Sequence, residues 1–416
     1  MTSTIEILLD DVLLADGRRG ALAISDSGHV INLIQHDGDR RSAIDSGCEV
    51  HDFEGRLLLP ALAEAHAHLD KSLTAELAPN PTGDLRGAIE AWIEAERAGR
   101  FDHQSMVERV ARSLEMLLTS GTTVVRSHIN VGGAIGIKYL LAAQEAAARF
   151  RQAMDIEFVA LTHMPMSGPG SEVNLTALDD AVHAGVDLVG GCPHLEPDPH
   201  ACIDHVLGLA RRHGKAVDLH VDETLDPRVL TLSDLAERCR NVQVKVTASH
   251  CVSLGMLDRD QRRAVIDRVA TAGVSVVALP QTNLFLQGRD HPVATPRGLT
   301  SVHDLVAAGV TVAAGADNAQ DPFNLVGRCD PLETAALMVM AGHLLPDDAF
   351  AMVSANVRRL AGRGAAGTEP GQVADLIAIN ATSVRQVIAE APADRIVLRG
   401  GRVVARTVAH TDLNID

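Results

Sequence analysis

A chain of 416 residues that is 46% hydrophobic has ample material for a large buried core, yet only 2% of it is aromatic, so that core is aliphatic. A net charge of −17 with so few aromatics argues against a nucleic-acid partner, because phosphates would be repelled and bases would find little to stack on. Six scattered cysteines without a CxxC pair, an acidic N-terminus and the absence of any apolar run of about 18 residues give the expectation of a cytoplasmic protein with reduced thiols and no membrane contact.

Residues 1–56 read as short strands broken by Gly, Asp and Ser (IEILLDDVLL, GALAISDSG, HVINLI, CEVHDFEG), one part of a small β unit. Leu57 to His68, LLLPALAEAHAH, reads as one apolar strand whose end carries His66 and His68. Residues i and i+2 of a strand share a face, so the two imidazoles project side by side, and paired neutral imidazoles suit zinc or iron. Helical patterns follow at Leu85–Arg97 and Gln104–Leu118. Further strands are predicted over 122–129, 156–164, 186–192, 216–223, 242–250, 274–280 and 310–317, about every 30 residues, with helical patterns in most gaps. Continuous apolar strands alternating with helices imply a parallel sheet covered on both faces. With the strand ending at His68 they number eight, which closes a (β/α)₈ barrel of the TIM type. An open doubly wound sheet is the alternative, but no GxGxxG follows an early strand. The tail returns to strands at 373–380 and 395–406. The expected organisation is therefore a barrel over 57–364 and a β-sandwich built jointly from 1–56 and 365–416.

Barrel enzymes carry their chemistry at the C-terminal ends of the strands. Those ends hold His66 and His68 with Asp70 and Lys71, then Arg126 and His128, His163, His220 with Asp222 and Glu223, His250, and Asp317. A single histidine in a strand is usually a satisfied core residue. Histidines at the same end of five strands are hard to explain as packing, because a buried unpaired imidazole is costly.

This pattern resembles the amidohydrolase superfamily, and within it the cytosine deaminase branch and the relative that removes N-alkylamines from triazine rings. The segments that carry the resemblance are AHAHLDKSLT (65–74), VVRSHINV (124–131), DLHVDETLD (218–226), VTASHC (246–251), LPQTNLFLQGRD (279–290), GADNAQDPF (315–323) and GTEPGQVADLIAIN (367–380), which together span nearly the whole chain. The resemblance implies that His66, His68, His220 and Asp317 hold one divalent metal ion per chain, zinc or ferrous iron. Three imidazoles and a carboxylate leave a position for water, whose pKa the ion lowers. It further implies Glu223 as proton shuttle, His250 as the residue that orients the water and Asp317 as a partner in proton transfer. Two-metal members bridge their ions with a lysine at the end of strand four; none of the four lysines lies there, so one ion is expected.

The implied reaction is hydrolytic deamination of a small nitrogen heterocycle of the cytosine, triazine or pterin kind, with the activated water attacking the amine-bearing carbon. The alternatives are an amidase that opens a C–N bond next to a carbonyl, or a binding barrel that has lost its chemistry. Substrate-binding candidates are His163, Lys71, Gln287 and Asn318, with Asn283 also of interest. Cytosine deaminases carry a second acidic residue where this chain has Asn318, and a glutamine where it has His163, which counts against cytosine itself. Asp70 could orient a histidine ligand and Lys71 could be its countercharge rather than a substrate contact. Arg126 could equally sit in a buried salt bridge. An enzyme of this size is expected to form a symmetric homo-oligomer.

Overall fold

In the computed structural model, which describes residues 4–413 and 415 apart from 241, the two chain ends meet in one sheet. Its N-terminal strands are β1 (Ile5–Leu14), β2 (Arg19–Ser25), β3 (Val30–Ile34), β4 (Glu49–Asp52) and β5 (Leu57–Pro60). The barrel strands follow: β6 (Leu62–Ala67), β7 (Thr122–Val131), β8 (Asp155–Thr162), β9 (Leu188–Gly190), β10 (Ala216–Val221), β11 (Val246–His250), β12 (Ser275–Ala278) and β13 (Val312–Ala314). The chain then returns to the first sheet with β14 (Leu376–Ile379), β15 (Arg395–Arg399) and β16 (Arg402–Thr407).

The terminal sheet runs β16-β15-β14-β5-β1-β2-β3, with β4 also paired to β1. Alternation along β1 sends Ile7 and Leu9 to one face, where they pack with Leu22, Ile24, Phe53, Ile396 and Leu398. Leu8 points the other way, onto Ala43 of helix Asp37–Asp45. One continuous sheet thus carries two separate apolar clusters, one on each face. Residues 395–406, read as one strand from sequence, are a hairpin instead. Gly400 and Gly401 both take positive φ (55° and 80°), which the tight turn requires, and a Cβ on Gly401 would lie 2.9 Å from the Ile24 side chain.

A second correction concerns Leu57 to His68. The chain breaks at Ala61: β5 pairs with β1 and β14 in the terminal sheet, and only β6 belongs to the barrel. Both halves are apolar because both are buried, so hydrophobicity alone does not mark the break.

The barrel strands pair in parallel in chain order from β6 to β13, with helices between them. The seam between β13 and β6 is closed by the residues after them. The Asp317 amide donates to the His66 carbonyl (2.8 Å) and the His68 amide donates to the Asp317 carbonyl (3.0 Å). Buried Glu64 fastens the same seam, its Oε1 accepting from the amides of His66 and Ala316, both at 3.0 Å. Burial raises this carboxyl to about 7. The two ends of the barrel sheet are thereby tied together directly beneath the strand-end histidines. No helix among the described residues is long and apolar enough to cross a membrane.

Candidate active site

Four strand-end residues turn into the left-handed region: Asp222 (φ 52°), His250 (72°), Cys251 (51°) and Asp317 (69°). Such conformations cost on the order of 1–3 kcal/mol each in non-glycine residues and persist only where surrounding structure enforces them. Here they redirect the chain at the barrel mouth. Asp222 holds its turn by accepting from the amides of Thr231 (2.9 Å) and Leu232 (3.0 Å) at the start of helix Thr231–Cys239, which fixes the neighbouring Glu223.

His66, His68, His220 and Asp317 converge. His68 Nε2 lies 3.3 Å from His66 Nε2 and 3.1 Å from His220 Nε2. Asp317 Oδ1 lies 3.5 Å from His66 Nε2 and 3.1 Å from His68 Nε2. Ligands bound tetrahedrally at about 2.0–2.1 Å are about 3.4 Å apart, so these spacings match the edges of one coordination shell. Asp317 Oδ1 has no hydrogen-bond partner among the described residues, although it is buried. Burial pushes the imidazoles of His66, His68 and His220 well below their ordinary range, which keeps them neutral and able to ligate. The donor set fits a divalent ion. His250 stands beside the group, its Nε2 3.8 Å from Asp317 Oδ2, and His66, His220, His250 and Asp317 also present donor atoms within 4.8 Å of one another.

A buried chain of hydrogen bonds fixes the first of these ligands. Ser249 Oγ donates to Asp218 Oδ1 (2.8 Å), so its lone pair receives the Nδ1–H of His66 (2.9 Å). That tautomer leaves the His66 Nε2 lone pair facing its partners. Asp218 Oδ2 accepts from Arg126 Nη1 (3.0 Å), and Arg126 also donates to Glu157 from Nε (3.1 Å) and Nη2 (2.9 Å). Arg126 therefore lies in a salt-bridge network below the cavity. His128 stacks on His66 with ring centroids 3.9 Å apart, and neither of its nitrogens has a hydrogen-bond partner among the described residues.

Glu223 and His250 complete the polar floor. Burial raises the Glu223 carboxyl to about 8, and its Oε1 lies 3.7 Å from His250 Nδ1. His250 is pushed down to about 3 by burial, and its Nδ1–H donates to Asn283 Oδ1 (3.1 Å). The Asp317 carboxyl is raised by burial and by the nearby Glu223 charge.

These groups open into a cavity of about 890 Å³, counted out to its mouth, which Lys71, His163 and Asn318 also line. Gln287 does not line it; its amide donates to the Glu223 carbonyl (3.2 Å) and so braces the loop that carries Glu223. Asn318 Nδ2 donates to Asp321 (2.7 Å), a buried acid four residues after Asp317 rather than adjacent to it. Lys71 donates to Asn130 Oδ1 (2.8 Å) and lies 3.1 Å from His68 Nδ1. An ammonium only donates, so coordination through His68 Nε2 requires Lys71 to release Nδ1. Asp70, whose Oδ2 is 3.7 Å from the ammonium and whose Oδ1 is unpartnered among the described residues, is the acceptor at hand. Sequence reasoning missed Asn130, Trp92 and the Ser249–Asp218 pair. Asn130 bridges Lys71 and His163 (3.2 Å to its Nε2), and Trp92 forms part of the cavity wall with Lys71 5.6 Å above its ring.

Barrel, seam and strand-end constellation define an amidohydrolase, and the profile of the Amidohydrolase family matches residues 57–405. The chain belongs to that family. A pterin deaminase from Rhizobium rhizogenes is 34% identical over 367 residues, covering 86% of this chain and 82% of its own. The solved structure of a 5-methylcytosine deaminase from Klebsiella pneumoniae, liganded with 5-fluorocytosine, superposes with a TM-score of 0.85 at 25% identity and covers 98% of this chain and 99% of its own. That of an N-isopropylammelide isopropylaminohydrolase from Burkholderia multivorans gives 0.80 at 27% identity, with 98% and 99% covered. With deaminases on both comparisons, the chain is a hydrolase of the deaminase class.

Proposed function

We propose that this enzyme removes an amino group hydrolytically from a small nitrogen heterocycle of the pyrimidine, triazine or pterin kind. The observation that carries the reading is the buried Glu223 carboxyl, which lines one cavity with His68, His220, His250 and Asp317, directly above His66. We assign those four residues to one divalent ion, zinc or ferrous iron, which when bound supplies a Lewis acid that lowers the pKa of a water toward 7. A single ion is supported by the end of strand four, where β9 is followed by Gly191 and Cys192 rather than a lysine.

Glu223 takes one proton from the attacking water and delivers it to a ring nitrogen; the second water proton, released from the hydroxyl of the adduct as the carbonyl forms, passes by way of Asp317 and Glu223 to the leaving amine, which departs as ammonia. His250 is held by Asn283 with its hydrogen on Nδ1. Its Nε2 is therefore an acceptor and orients the water by receiving its hydrogen. Asp317 Oδ2 faces that same nitrogen and shares the proton. Lys71, His163 and Asn318 contact the polar edge of the heterocycle, whereas Gln287 acts by holding Glu223. We further infer a cytoplasmic homo-oligomer, a reading supported by the scattered cysteines without a CxxC pair and by the chain's size.

Glu223→Gln tests this directly. Turnover of any substrate found should fall by about 10²–10⁴-fold while metal content is retained. Turnover at the wild-type rate would remove Glu223 from the mechanism.

A further inference from the structure

Deamination uses the polar floor of the cavity and leaves its outer half without a role. Leu85, Ile89 and Ile93 stand at i, i+4 and i+8 of helix Leu85–Arg97, forming one stripe. On the neighbouring face Ala88 and Ala95 are buried, and Trp92 between them joins the cavity wall. The stripe lines the cavity beside it, with Ile93 39% exposed. Met164 and Leu195, 41% and 39% exposed, line the same space, as does Phe323. None of the charged residues of the helix does. A soluble protein exposes a cluster of large apolar side chains inside a concave site chiefly where a ligand covers it.

We propose that the outer half is a subsite for an uncharged apolar substituent on the heterocycle, a phenyl ring or an alkyl chain of about four carbons. The inference rests on the deaminase reading of the same site, because Glu223 and Asp317 fix which end of the cavity receives the aminated ring. A charged or strongly hydrated substituent would lose its water against the Leu85–Ile89–Ile93 stripe with no polar partner from that helix.

The sole tryptophan, Trp92, forms part of the cavity wall, so its fluorescence reports binding independently of turnover. We would titrate the metal-loaded enzyme with pterin and its 6-methyl, 6-butyl and 6-phenyl derivatives, and with cytosine and 5-butylcytosine, and assay ammonia from each. Each methylene is expected to tighten binding about fourfold, with kcat/KM for ammonia release rising in parallel. Ile93→Ser should raise the butyl-to-parent ratio of dissociation constants several-fold, toward one. Equal or weaker binding of the butyl and phenyl compounds in both series overturns the subsite, even if ammonia is released. Tighter binding without ammonia from any compound leaves the subsite standing and overturns the pterin and pyrimidine forms of the deaminase reading.

Discussion

Ser249→Ala isolates the hydrogen-bond chain beneath the metal ligands. The substitution removes one hydroxyl and leaves two fully buried groups short of a partner, the Nδ1–H of His66 and Oδ1 of Asp218. Each such orphan costs about 1–3 kcal/mol, so the metal-free protein should lose about 2–6 kcal/mol of stability. The larger consequence is at His66, which no longer has a group selecting the tautomer with its lone pair on Nε2. Loss of such an orienting partner weakens metal binding by about 10–100-fold. The assay is competition for zinc against a chelator of known affinity, with urea unfolding of the stripped protein alongside. Ser253→Ala is the control, because its hydroxyl serves only the Val229 carbonyl (2.7 Å), outside the chain. Zinc affinity in Ser249→Ala within twofold of wild type would refute the orienting role.

Arg126→Met should destabilise the protein by about 3–5 kcal/mol in urea unfolding, because it strands the Glu157 and Asp218 carboxylates in the interior. Arg228→Ala, which breaks an exposed pair with Asp226, should change stability by less than about 1 kcal/mol, and equal effects would contradict the account. Glu223→Gln also carries a pH signature in the metal-free protein. The folded carboxyl is raised to about 8 from 4.5, so between those values the folded state binds more protons than the unfolded one. That contribution to stability is fully present below pH 4.5 and is lost as pH rises through 8. The glutamine variant lacks this loss, so its stability relative to wild type should climb by about 1.4 kcal/mol per pH unit across the window. A pH-independent difference would show that Glu223 is not held protonated by burial.

How much of this was legible in the sequence follows from which constraints are local. The histidines at strand ends stood out because a polar residue at the end of an apolar run is conspicuous, and the period of strand and helix set them at one end of a barrel. The break at Ala61 did not stand out, because β5 and β6 are equally apolar and differ only in which sheet they join. The orienting chain had a signal that went unused. Arg126 and His128, Asp218 and His220, and Thr247 and Ser249 are each two apart in a strand, so each pair points into the barrel, one layer below the other. Reading inward pairs rather than single strand ends would have placed Asp218 and Ser249 under the ligands. Trp92 and the stripe beside it carried no such signal, since a helical pattern of apolar residues reads the same whether it faces a core or a cavity.

Ammonia release by protein whose metal content has been counted tests the central claim most directly. The panel would hold cytosine, 5-substituted cytosines, isocytosine, ammelide-type triazines, pterins and creatinine, with hydantoin and dihydropyrimidines as amide controls. The account predicts ammonia or an amine from at least one aminated ring, with about one zinc or iron per chain. Ring opening of an amide control, with no ammonia from any aminated ring, would contradict it.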